Sequence, residues 1–197
     1  RRPSGVVATI TSHVLGSGPM TEIHFYRADR EHGYLSNLYR CSVLLANHAF
    51  EDDASRRAIH VCTCDTSYAA CPSHPAERIE FRSAEDGYQF AKPRSRAVAA
   101  WLIAAPAPHL TAVAAHALLG FDMRGDWRTF KLERMRAVLR AKFTQHPDLT
   151  LRLLDTGDAT LIEDSKTDLF WGVGPKGLGQ NMLGRMLMEL RGELRSG

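Results

Sequence analysis

The sequence predicts an α+β fold, a small β-sheet packed with a predominantly helical body. Two observations predict it. Short β-prone runs collect before residue 82, whereas stretches with helical spacing fill most of the chain after it. The chain has 197 residues, of which 44% are hydrophobic and 24% charged, the balance of one ordinary globular domain.

The first strand is expected at Ile23-His24-Phe25-Tyr26-Arg27, and a turn at Gly33-Tyr34-Leu35-Ser36-Asn37-Leu38-Tyr39 follows it. Residues 41–50 and 57–64 are β-rich and flank a polar turn, so they read as a hairpin. Ile79-Glu80-Phe81 supplies a further strand. Ser83 and Asp86 have capping-box spacing, which opens a helix at about 84. It runs to Lys92 and ends or kinks there, because the residue before Pro93 is biased away from helical geometry.

Residues 95–104 and 109–119 are Ala-rich helices separated by Pro106 and Pro108. Asp126 is placed to cap a long helix through Phe143, in which Trp127, Phe130, Met135, Val138 and Leu139 recur at helical spacing. Pro147 starts a short helix over 147–155, and Leu161-Ile162-Glu163 is a short strand. Glycine-rich residues 172–179 precede a final helix over about 180–194.

Residues 1–19 read as a disordered leader or linker, and 20–197 as a single domain with a Cys/His-containing insertion at about 47–78. The leader lacks the apolar core of a secretory signal, so an intracellular, cytoplasmic protein with reduced thiols is expected. No apolar run approaches the ~20 residues of a membrane span, so no membrane partner is expected. The net charge of +3, from 25 basic and 22 acidic residues, is too even for a bulk-charge nucleic-acid binder and leaves room for a local basic groove.

Three constellations carry chemistry. Glu85, Gln89 and Lys92 stand at i, i+4 and i+7, one face of a helix, so acid and amine converge on one ligand from two ends. The alternative is a solvated polar face. The segment from Leu154 to Arg191 holds Thr156-Gly157-Asp158, Glu163-Asp164-Ser165, Asp168, Trp171-Gly172 and Asn181 among clustered glycines. Such a loop lets backbone N–H groups approach phosphate, with a helix N-terminus behind them; the bland alternative is a tight turn before a helix. Trp127 and Trp171 suit base stacking, although core packing is the default for Trp127. Separately, His60, Cys62, Cys64, Cys71 and His74 are zinc-ligating residue types at short spacing, but the paired Cys-x-x-Cys knuckle is missing. An irregular insertion with reduced thiols or a local disulfide is the competing reading.

Taken in order, Tyr34-Leu35-Ser36-Asn37-Leu38-Tyr39, Ser83-x-Glu85-x-x-x-Gln89-x-x-Lys92, Asp126-Trp127, Lys142-Phe143, Thr156-Gly157-Asp158, Phe170-Trp171-Gly172-x-Gly174 and Gly179-x-Asn181-x-Leu183-Gly184 form a familiar series. It resembles the NADAR family, also called YbiA-like, over about residues 23–194. That resemblance implies a YbiA-like α+β fold and hydrolysis of N-glycosidic bonds without a cofactor or metal. Two substrate classes come with it: ADP-ribose attached to guanine, free or in DNA or RNA, and the ribosylamino-pyrimidine phosphates of riboflavin biosynthesis. Glu85 matches the family's catalytic glutamate, and Lys92 a lysine associated with a covalent imine to ribose. Ser36, Asn37, Gln89, Trp127, Asp168, Trp171, Gly172 and Asn181 fall in ligand-facing motifs. Pro93 after Lys92 departs from the family pattern. So does 116–124, which lacks the usual Gly-Arg pair and offers Arg124 as a stand-in. Removal of ADP-ribose from guanine is the leading expectation. Action on riboflavin intermediates and a non-catalytic ADP-ribose or NAD-derivative binding module are the alternatives.

Overall fold

The computed structural model describes residues 21–46 and 78–197. The predicted strand 57–64 and the candidate zinc ligands His60, Cys62, Cys64, Cys71 and His74 lie outside them. Among the described residues no His/Cys/Asp/Glu group is arranged to hold a metal ion. No described helix is long and apolar enough to cross a membrane.

Among the described residues the order begins with β1 (Glu22–Phe25), a 3-10 turn over Gly33–Leu35, β2 (Arg40–Ala46) and β3 (Arg78–Ser83). Helices α1 (Ala84–Phe90), α2 (Arg96–Ile103), α3 (Pro108–His116), α4 (Trp127–Gln145) and α5 (Pro147–Asp155) follow. Strand β4 (Thr160–Glu163) and helix α6 (Met182–Ser196) complete the order.

The mixed architecture is as the sequence predicts, but the strands divide differently. Among the described residues they form two two-stranded sheets, not one. Strand β2 pairs antiparallel with β3, Val43 opposite Phe81 and Leu45 opposite Ile79. These four side chains are buried, and their alternation fixes the register, since a one-residue slip would turn them all outward. Strand β1 pairs in parallel with β4, Phe25 opposite Glu163, joining the start of the fold to its C-terminal third.

Helix α4 packs on β2 and α1 through Met135, Val138, Leu139 and Phe143. Each such side chain contributes roughly 1.5–3 kcal/mol by leaving water. The expected Asp126 side-chain cap does not form; its carboxylate takes Arg124 Nη2 at 3.0 Å instead. Helix α6 lies directly on β4. A Cβ at Gly184 would collide with the Leu161 carbonyl oxygen, so only glycine permits this approach.

Candidate active site

Helix α1 presents the site. Ser83 caps it, its Oγ accepting from Asp86 N at 3.1 Å. The Asp86 carboxylate does not close the capping box; it accepts from Arg82 Nε at 2.8 Å and Thr111 Oγ1 at 2.7 Å. Six of the seven α1 residues are buried, and the exception, Glu85, faces a pocket. Its backbone N–H donates to Asn37 O at 3.0 Å, which pins the 36–37 loop to the helix start. Lys142, fully buried in α4, holds the same loop by donating to Ser36 O at 2.8 Å.

Lys92 is not on the helix. α1 ends at Phe90, and the expected i, i+7 face is broken before it reaches the lysine. Pro93 is the cause: it forms an isolated bridge with Met123, and Lys92 N folds back onto Gln89 O at 3.1 Å. The turn still delivers Lys92 to the pocket, where its Nζ donates to Ala115 O at 2.5 Å.

The pocket has a volume of about 370 Å³ and is lined by Glu85, Lys92, Ser36, Asn37, Gln89, Trp127, Asp168 and Trp171 from the expected set. Tyr88, Lys131, Glu163, Ser165 and Phe170 also line it, without having been singled out as site residues. Tyr88 carried a usable signal, standing one turn after Glu85 on α1. Glu163 and Ser165 stood in the Glu163-Asp164-Ser165 run of the glycine-rich segment, but nothing there marked Glu163 as a pocket carboxyl, because a strand-end carboxylate ordinarily faces water.

Gly172 and Asn181 stand outside the lining. A Cβ on Gly172 would lie 2.8 Å from Glu163 O, so this glycine serves close loop packing. Asn181 adopts left-handed φ 51°; its Oδ1 accepts from Glu163 N at 2.9 Å and its Nδ2 donates to Leu161 O at 2.8 Å. Its amide ties α6 to β4. The first two donors of α6 are likewise taken, since Met182 N and Leu183 N donate to Phe170 O and Trp171 O, both at 3.1 Å. These bonds leave fewer N–H groups for the anion seat expected there, since a helix end attracts phosphate through free N–H groups. Asp168 Oδ1 shapes the adjoining turn by accepting from Phe170 N at 2.8 Å and Trp171 N at 2.7 Å.

Charge in the pocket is governed by burial. Burial pushes the Glu85 carboxyl up to about 7, against the hydrogen bond from Gln89 Nε2 at 2.8 Å. Glu163 is pushed to about 8 by burial, then by Asp168, Glu85 and Asp164. Burial lowers Lys92 below the ordinary lysine range, with Glu85 opposing. The neutral amine is thereby favoured more than in water.

One wall is aromatic. Tyr88 lies 5.2 Å from Trp127 and 5.7 Å from Trp171, ring centre to ring centre, and Phe170 packs edge-on to Trp171 at 4.9 Å. Lys131 Nζ sits 3.4 Å over the Phe170 ring. Two amide oxygens in the lining, Asn37 Oδ1 and Gln89 Oε1, are buried without a hydrogen-bond partner, as is Glu163 Oε2. Such atoms cost free energy unless a ligand donor reaches them. The arrangement suits a flat ring against the aromatic wall and a hydroxyl-bearing group beside Glu85 and Lys92.

Comparison with known proteins agrees with this architecture. The NADAR domain model matches residues 24–195. The riboflavin biosynthesis protein VVA0006 of Vibrio vulnificus is 32% identical over 175 residues, which are 88% of this chain and 38% of that protein. N-glycosidase YbiA of Escherichia coli is 47% identical over 72 residues, 36% of this chain and 45% of that protein. These sequence matches thus span less than half the length of the curated relatives. The NMR structure of the E. coli protein YbiA superimposes with a TM-score of 0.66 at 26% identity, covering 93% of this chain and 90% of that one.

Proposed function

The chain belongs to the NADAR domain family, and from that premise we propose that it hydrolyses the N-glycosidic bond of a phosphorylated ribosyl conjugate, removing ADP-ribose from guanine, free or in nucleic acid. The observation that carries this reading is the meeting of Glu85, Lys92 and two unpartnered acceptors, Asn37 Oδ1 and Gln89 Oε1, in one aromatic-walled pocket.

Breaking a C1′–N bond builds positive charge on the anomeric carbon, and the ionised Glu85 carboxylate stabilises that charge. The Lys92 lone pair bonds to C1′ as the C1′–N bond breaks and its electron pair leaves on the base. Ring opening gives an imine, which water hydrolyses to free the sugar and restore the amine. Burial of Lys92 favours the neutral nucleophile. Asn37 Oδ1 and Gln89 Oε1 accept from ribose hydroxyls, and the aromatic wall takes the base. No metal or cofactor is required.

A second reading keeps the chemistry and takes ribosylamino-pyrimidine phosphates of riboflavin biosynthesis. Similarity to the Vibrio riboflavin biosynthesis protein favours it. The deciding experiment incubates the protein with a short oligonucleotide carrying ADP-ribosylated guanine, with and without borohydride, and reads products by mass spectrometry. Released ADP-ribose and a reduced adduct on Lys92 are expected. No release there, with turnover of the riboflavin intermediates, would move the assignment to the second substrate. Binding of ADP-ribose without turnover of either would leave a binding module and sink the hydrolase.

A further inference from the structure

Glu163 is the pocket group for which this mechanism has no role. It ends β4, with its backbone fixed on both sides: Glu163 N donates to Asn181 Oδ1 at 2.9 Å, and Glu163 O accepts from Val173 N at 3.0 Å. Only 7% of the residue is exposed, its side chain lines the pocket, and its Oε2 is buried without a partner. A fixed backbone, a buried side chain and an idle oxygen inside a reaction cavity are an arrangement that structural packing does not require.

We propose that Glu163 is a second catalytic carboxyl, the general acid that protonates the leaving base nitrogen while Glu85 acts as the carboxylate. This rests on the hydrolase reading above. The charged groups acting on Glu163 are Asp168 and Asp164 of the following loop, Glu85 of α1 and Lys142 of α4, while the titratable side chains of the neighbouring β1, Glu22 and His24, are exposed. Three of the four are carboxylates, and Lys142, the one cation, spends its Nζ on Ser36 O. Two carboxyls that face each other in one pocket resist ionising together, so the first proton lost leaves one acid and one base. Glu163, with an unpartnered Oε2 and three carboxylates around it, keeps that remaining proton, whereas the Gln89 Nε2 donor on Glu85 favours the ionised form there.

The step balances. The C1′–N electron pair passes to the base nitrogen, and the Glu163 O–H proton goes to that nitrogen. The water that hydrolyses the sugar adduct returns a proton to the Glu163 carboxylate. The division of labour between a protonated and an ionised carboxyl is the one glycoside hydrolysis uses generally.

The test is a pH–rate profile of the wild type, Glu163→Gln and Glu163→Asp on the substrate that the wild type turns over. The wild type is expected to give a bell whose alkaline limb falls near pH 8. Glu163→Gln should lose that limb and about 10²–10⁴-fold in kcat, with KM within threefold. Substrates whose leaving base is more acidic should recover most of the loss, since they depart without a proton. Glu163→Asp should keep an alkaline limb, a readout that a packing role would not give. Carboxyl ¹³C titration of wild-type protein should show a glutamate midpoint near 8 that is missing from Glu163→Gln. A Glu163→Gln rate within threefold of wild type, or a Glu163 midpoint below 5, would overturn the proposal while leaving the hydrolase intact. A wild type inactive on every N-riboside offered would instead remove the hydrolase reading itself.

Discussion

The Nζ of Lys92 donates to the Ala115 carbonyl oxygen, 2.5 Å away in the last turn of α3. The amine is held by a neutral acceptor, not by a carboxylate ion pair. A neutral amine keeps its lone pair while donating one N–H, so this contact is compatible with a nucleophile at rest.

Lys92→Ala should therefore abolish the borohydride-trapped adduct and lower kcat by about 10²–10⁴-fold. Lys92→Arg should do the same, because a guanidinium stays protonated. Intact-mass measurement after borohydride treatment checks both. An adduct that persists in Lys92→Ala would place the nucleophile elsewhere.

Glu85 gives the acid side of the rate profile. Its carboxyl is raised to about 7, and the reaction uses the ionised form, so activity should rise with pH through about 7. Gln89 lowers that value by donating to the ionised form. Removing the donor in Gln89→Leu should move the acid limb upward by on the order of one pH unit. Measured kcat/KM from pH 5 to 8 decides the point; a downward or absent shift would contradict the hydrogen-bond assignment.

Glu163 also ties stability to pH. Its folded value, about 8, lies above the ordinary carboxylate value, so the folded protein binds the extra proton. The stabilising proton is fully present below about 4.5 and is lost as pH rises through about 8. Glu163→Gln should consequently match the wild type near pH 5 and exceed it at pH 8–9 by on the order of a few kcal/mol. Urea unfolding at the two pH values reads the difference, and equal stability of the two proteins at pH 9 would refute it.

Asn181 is expected to matter for folding more than for ligand. Asn181→Ala deletes bonds to Leu161 O and Glu163 N and leaves a left-handed residue without an amide, at a cost of roughly 2–3 kcal/mol. Asn181→Gly should remove the backbone strain but not restore the lost bonds, and fall between. Thermal unfolding beside a KM measurement separates the roles. A large rise in KM with unchanged melting would place Asn181 in the ligand site instead.

Residue order alone reveals the α+β class, nearly every helix, the Ser83 cap and the break before Pro93. These depend on neighbours within a turn or two, where capping, proline geometry and apolar spacing act. The Glu85–Gln89 pair is legible for the same reason, since α1 puts i and i+4 side by side. The parallel pairing of Phe25 with Glu163 is not, because it joins distant segments whose sequences carry no mark of each other. Nor is the fate of the α6 N-terminus, whose first two donors are claimed by a loop folding back from residues 170–171. The chemical state of the site follows from that long-range closure. Glu85, Glu163 and Lys92 are ordinary side chains in sequence, and their proton affinities move only when the assembled fold takes water away from them.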